Sequence, residues 1–249
     1  MVEKTKLMEQ ELKIPTSDDK YIYGKLRGGF ESPLVIFVHG LGGLMDQHIY
    51  YNGSRYLEKH GVSSFRFNLY GWEKDARNLS ECTLETHAFD LDRIVEFFRG
   101  RGIKKVFVIG HSFGAPTILL SQKKDFEGVI LWDPSLGEPM SFNDAKYVKS
   151  LDMYKLRWNF ELLIGKMMIE GSKSFQKREE EAIRKIKVPI KIITAGKGHL
   201  VAEGKRYFDL ANKPKERVII EKAGHLFDED GVENILFKET LDWVKKYSN

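Results

Sequence analysis

The chain has 249 residues, 42% of them hydrophobic, and a formal net charge of +4. That length supports one sizeable core, since larger chains bury a larger share of their surface, and does not by itself require a split into domains. Basic and acidic residues are mixed, as in 177–187, which argues against the clustered basic face of a nucleic-acid binder.

The elements alternate between strand and helix. Tyr21–Leu26 reads as an early strand that stops at Gly28-Gly29. Leu34–Val38 is a continuous apolar run, the pattern of a strand buried on both faces. A helix is predicted over 46–60 with Gly61 as its stop, then a strand over Ser63–Leu69. Leu84, Leu91, Ile94, Val95 and Phe98 recur at helical spacing over 84–99, and Gly100 ends that helix. Val106–Ile109 and Gly128–Trp132 are buried strands on either side of a helix over 113–122. Ile190–Thr194 and Arg217–Ile220 are the last strands, accompanied by helices over 203–210 and 233–247. This alternation predicts one α/β domain spanning 1–249, with a mostly parallel sheet covered by helices on both faces.

Between Pro134 and Val188 the rhythm breaks. Helix-like pieces are expected at Asn143–Leu151, Met153–Met168 and Phe175–Ile186, with Leu156, Trp158, Phe160, Leu162, Leu163, Met167 and Met168 as apolar members. They read as a helical lid inserted over 137–187 above a pocket, or as one more layer of core.

Gly110-His111-Ser112-Phe113-Gly114 sits directly after one predicted strand and directly before a helix. A Gly-x-Ser-x-Gly run in that setting makes a sharp turn that projects the serine oxygen. Ser112 is therefore the expected nucleophile. His39-Gly40-Leu41-Gly42-Gly43 follows the strand Leu34–Val38, where a Gly-rich turn can aim N–H groups at a developing oxyanion. The N–H groups of Leu41 and Phe113 are the expected donors. A phosphate loop is not indicated, because no Gly-Lys-Ser/Thr follows. Ala223-Gly224-His225 lies beyond the last strand, from where His225 can reach back and take the Ser112 proton. His39, Gly40, His111 and Trp158 are the expected wall of the substrate pocket.

In their order and intervals these three motifs resemble the α/β-hydrolase superfamily, over nearly the whole chain. The nearest likeness within it is to small microbial esterases of the feruloyl/cinnamoyl-esterase and acylglycerol-lipase type, which carry a helical insertion after the sixth strand. The resemblance implies a cofactor-independent serine hydrolase and an acid just after the seventh strand, as Gly-x-x-Asp. The matching stretch here is Gly196-Lys197-Gly198-His199. An imidazole there cannot hold His225 in the tautomer that takes the serine proton. Asp133, at the end of Gly128–Trp132, is the preferred replacement, since some lipases of the superfamily place their acid after strand six. Glu203, Asp228, Asp230 or no acid at all stay open. Relatives usually carry Asp at the Asn68 position, a structural site.

The expected reaction is hydrolysis of small carboxylic esters through an acyl-enzyme. A degenerate hydrolase that only binds ligand, or a thioesterase or carbon–carbon hydrolase on the same residues, are the alternatives. The seven histidines show no metal-ligand spacing, so neither metal nor cofactor is expected. Cys82 is alone, so no intrachain disulfide forms, which fits a reducing compartment. The charged start leads into no run of signal-peptide length, and no stretch approaches the roughly 18 apolar residues of a membrane span. A cytoplasmic protein is expected, acting on a small ester without nucleic acid or membrane, with a homodimer left open.

Overall fold

Alternate residues of the central strands enter opposite faces of one sheet. In Leu34–Val38, Leu34, Ile36 and Val38 join one apolar cluster, while Val35 and Phe37 join a second. The same split holds for Val106 and Val108 against Phe107 and Ile109. Side chains that alternate across a strand, both sets covered by helices, produce the unbroken apolar runs of the sequence.

The computed structural model describes residues 9–30, 33–137, 145–157 and 161–248. Its strands are β1 (Gln10–Pro15), β2 (Tyr21–Arg27), β3 (Leu34–Val38), β4 (Ser63–Phe67), β5 (Val106–His111), β6 (Gly128–Trp132), β7 (Lys146–Val148), β8 (Met153–Arg157), β9 (Glu161–Gly165), β10 (Ile190–Ala195) and β11 (Lys215–Ile220). Its helices are α1 (His48–Lys59), α2 (Leu84–Arg99), α3 (Gly114–Leu120), α4 (Lys166–Gln176), α5 (Glu179–Arg184), α6 (Val201–Leu210) and α7 (Val232–Ser248). The main sheet has the order β1-β2-β4-β3-β5-β6-β10-β11. β1 and β2 run antiparallel and the pairs from β4 onward are parallel. One face is covered by α2, α3 and α6, through residues such as Leu91, Phe98, Ile118 and Tyr207. α1 and α7 cover the other, through Ile49, Leu57, Leu236 and Trp243.

α2 starts where its sequence says it should. Thr83 accepts from Thr86 N–H at 3.0 Å and Thr86 Oγ1 accepts from Thr83 N–H at 2.9 Å, satisfying two donors that a helix start leaves open.

The insertion differs from expectation. Where helices over 143–151 and 153–168 are expected, the described residues between Lys146 and Gly165 form a three-stranded antiparallel sheet, β7-β8-β9. Leu156 and Leu162 are cross-strand partners, so their apolar surfaces meet through sheet pairing. Asp152, at φ +50°, turns the chain between β7 and β8. Among the described residues of the insertion, helix appears only from Lys166, as α4 and α5. Residues 138–144 and 158–160, including Asn143 and the pocket candidate Trp158, lie outside the described residues. The base of the insertion is anchored: Leu156, Ile164, Met168, Ile169 and Phe175 are buried in the core cluster beneath it. At Gly165 the chain passes so close to Ser80 that a Cβ would lie 2.1 Å from its carbonyl oxygen.

Candidate active site

Strands β3, β5, β6, β10 and β11 run in one direction, so their C-terminal turns gather along one edge of the sheet. Open α/β sheets bind their ligands in the crevice outside those ends.

Ser112 leaves β5 with φ +52°, a left-handed conformation uncommon for a residue with a side chain. The surroundings hold it there. Its N–H donates to Trp132 O at 3.0 Å, and its carbonyl accepts from Ser135 N–H at 3.2 Å. The turn leaves no room beside it. A Cβ on Gly110 would lie 2.7 Å from Ile118 Cδ1, and one on Gly114 2.3 Å from the Val38 carbonyl oxygen. Ser112 is half-buried, and its hydroxyl has no hydrogen-bond partner among the described residues.

The turn after β3 passes beside that hydroxyl. A Cβ on Gly40 would lie 3.2 Å from Ser112 Cβ and 3.7 Å from its Oγ. Leu41 is half-buried, and its N–H has no partner among the described residues. Phe113, the other predicted donor, is buried with its side chain in the core.

His39 shapes this turn from behind. Its Nε2 accepts from Leu69 N–H at 3.0 Å, so Nδ1 carries the proton and donates to Gly40 O at 2.8 Å. Burial lowers its pKa to about 4, so the ring stays neutral. His39 is 1% exposed and His111 3%. Both lie behind the surface they were expected to line.

Asp133 ends β6 at φ +39° and is fully buried. Its Oδ1 accepts from Ala195 N–H at 3.0 Å, at the end of β10. Its Oδ2 lies 2.7 Å from His225 Nδ1. With a carboxylate accepting at Nδ1, the neutral His225 ring keeps Nε2 free as a proton acceptor. No hydrogen bond joins Ser112 and His225 here; contacts of this kind often tighten only once substrate is bound. The remaining acid candidates Glu203, Asp228 and Asp230 make no hydrogen bond to His225 among the described residues.

The His225 loop is tied down independently. Lys197 N–H donates to Ala223 O at 2.8 Å, Phe227 N–H to Gly224 O at 3.0 Å, and Gly224 N–H to Glu229. His199, exposed in the loop after β10, lies with its ring centroid 5.5 Å from that of His225. It stands beside His225, where an imidazole cannot do the work of a carboxylate. Asn68 accepts from Met45 N–H through Oδ1 at 2.8 Å, a task an amide oxygen performs as well as a carboxylate.

Sequence reasoning missed Tyr50. It is 1% exposed on α1, and its hydroxyl meets both the Gly40 amide and the His111 ring. On the sequence it is indistinguishable from any core aromatic of an amphipathic helix. Among the described residues no group of three or more His, Cys, Asp or Glu is placed to hold a metal ion, and no helix is long and apolar enough to cross a membrane.

No curated protein matches the sequence. Solved structures share the fold. Est1E from Butyrivibrio proteoclasticus, with ferulic acid bound, superposes with a TM-score of 0.78 at 15% identity, covering 95% of this chain and 98% of that one. The esterase domain of a Rhodothermus marinus protein gives 0.76 at 15% identity, covering 98% and 100%. Dienelactone hydrolase from Anabaena variabilis gives 0.73 at 15% identity, covering 98% and 99%. A sequence model described as the alpha/beta hydrolase family matches residues 35–165, more than half of the chain. With the sheet order and the strand-end turns described above, that match is decisive: the chain belongs to the alpha/beta hydrolase family.

Proposed function

We propose that this protein is a serine hydrolase that cleaves small carboxylic esters. The observation that carries the reading is the 2.7 Å contact between His225 Nδ1 and a buried Asp133 whose other oxygen is fixed by Ala195 N–H. A histidine oriented by a buried acid beside a strained, unpartnered serine is the constellation of acyl transfer.

Ser112 Oγ attacks the acyl carbon while its proton moves to His225 Nε2. The carbonyl electron pair moves onto oxygen, where the Leu41 and Phe113 N–H groups stabilise it. Each such donor contributes about 3 kcal/mol in the transition state. The intermediate collapses, the alcohol leaves with the proton from His225, and an acyl group remains on Ser112. Water, activated by the same histidine, then releases the acid. Asp133 stays ionised throughout and stabilises the imidazolium. The insertion is the cover of the acyl pocket, and its exposed Leu163 and Met167 favour an apolar or aromatic acyl or alcohol group. Neighbours described as an esterase domain and as an enzyme with ferulic acid bound support the ester class.

A fluorophosphonate probe tests the reading. Wild type should label at Ser112 and turn over aryl esters, and Ser112→Ala should do neither. Folded wild type that resists labelling overturns it. Including thioesters in the panel separates ester from thioester cleavage on the same residues.

A further inference from the structure

We propose that Tyr50 and His111 form a positioning relay that fixes the oxyanion turn at Gly40 and the His225 loop relative to each other. The proposal rests on the ester-hydrolase reading above and assigns it two residues that touch neither substrate nor the reacting atoms.

Three hydrogen bonds run in series. Gly40 N and Tyr50 Oη are 3.3 Å apart, Tyr50 Oη and His111 Nδ1 2.8 Å, and His111 Nε2 and the His225 carbonyl oxygen 2.9 Å. Chemistry permits one arrangement of protons. A carbonyl only accepts, so His111 Nε2 carries hydrogen. The ring is neutral, because burial, with His225 adding to it, lowers its pKa to about 3. Nδ1 is therefore bare and must accept from the Tyr50 hydroxyl. The tyrosine oxygen is left to accept from Gly40 N–H. Every donor points the same way, from the β3 turn to the His225 loop.

The two ends of the chain are the parts that must agree. Gly40 lies against Ser112 and precedes Leu41, whose N–H faces no partner. His225 carries the acceptor nitrogen, and the relay holds its backbone while Asp133 holds its ring. The His111 and His225 rings also lie against each other, 4.8 Å between centroids. The connection is rigid because both relay residues are buried, and because His111 is the last residue of β5, adjacent to Ser112. Tyr50 is placed by α1, whose other buried residues pack on the opposite cluster from α3. Tyr50, His111 and the His225 loop thereby meet on one face of the sheet, the face covered by α1 and α7. Removing either member leaves a buried donor or acceptor without its partner, which costs more than the bond itself contributes.

The test is a double-mutant cycle on Tyr50→Phe and His111→Leu, read as the rate of Ser112 labelling by a fluorophosphonate and as aryl-ester kcat and KM. Each single variant should slow labelling about tenfold, with the loss in kcat and not in KM, as for an interaction realised in the transition state. The double variant should be no slower than the slower single, the signature of one coupled unit. His111→Gln, which keeps an acceptor and a donor, should recover rate relative to His111→Leu and serves as the reporter if the leucine variant does not fold. Losses that multiply in the double variant overturn the relay. So do wild-type labelling rates in all folded variants. Wild type that is not labelled at all overturns the hydrolase reading, and the relay with it.

Discussion

Replacing Asp133 by asparagine isolates the carboxylate from its geometry. The side chain is fully buried and holds two partners of the same demand, Ala195 N–H, which needs an acceptor, and His225 Nδ1, which in the working tautomer is also a donor. An amide offers one oxygen and one NH₂. With the oxygen kept on Ala195, the NH₂ faces His225 Nδ1 and forces the proton onto Nε2, the nitrogen that must accept from Ser112. With the amide reversed, two donors oppose each other at Ala195 in a fully buried site. The first outcome removes the base, and the second keeps its tautomer but takes away the countercharge and adds a buried clash, while volume barely changes. In the serine-protease template this substitution costs ~10⁴ in kcat, equivalent to about 5 kcal/mol on the barrier. The assay is aryl-ester kcat beside a thermal melt, with His199→Asp as companion. Asp133→Asn should lose about four orders of magnitude while still melting cooperatively, and His199→Asp should gain nothing, because Asp133 already occupies Nδ1. A folded Asp133→Asn protein within about tenfold of wild type, or a gain from His199→Asp, would refute the assignment.

Two further predictions concern packing and pH. Gly40→Ala introduces a Cβ 3.2 Å from that of Ser112, so a shift of a few tenths of an ångström follows at the nucleophile. Turnover should fall by about 10- to 100-fold, with a cooperative melt retained; unchanged kinetics would separate the β3 turn from the reaction. His87 is fully buried with both ring nitrogens unpartnered, and burial lowers its pKa to about 3. Unfolded histidine titrates near 6.5, so between those values the unfolded chain holds a proton the folded chain does not. His87 therefore contributes no pH-dependent loss above about pH 6.5, and stability declines as pH falls toward 3, by about 1.4 kcal/mol per pH unit per histidine. His39 and His111 add to the decline with the same sign. His87→Leu should raise stability at neutral pH by about 1–3 kcal/mol and flatten the decline between about pH 6 and 4, measured by denaturant unfolding across pH. A variant that is no more stable and declines as steeply would show that the ring has a partner.

The parts of this protein legible in its sequence are those where one physical demand acts on contiguous residues. Leu34–Val38 and Gly128–Trp132 are buried on both faces and contain almost nothing else, so they read as strands. Gly110 and Gly114 bracket Ser112 because the turn excludes a Cβ at both places, and that exclusion is written as a motif. Asp133 was readable as a strand-end acid next to an unsuitable His199. β1 escaped notice because it is an edge strand with Ile14 as its one fully buried residue, so no alternation is visible. The β7-β9 sheet was misread although Leu156, Trp158, Phe160, Leu162 and Ile164 alternate along the chain at the period of a strand. Tyr50 escaped for a different reason. Its role depends on a hydroxyl meeting His111, 61 positions away, and nothing local marks it.

Housing the acid on β6 has a consequence for the neighbouring strand. β6 and β10 are adjacent and parallel, so a carboxylate at either tip can face the same imidazole, and here it is Asp133 at the β6 tip that meets His225. The segment after β10 is thereby released from supplying the acid. Gly198 remains constrained, since a Cβ there would press to 3.0 Å on Asp133 Oδ2. Lys197 and His199, both exposed, are free to drift. In a directed-evolution library, those two exposed positions beside the His225 loop offer room for substitution that leaves the Asp133–His225 contact intact.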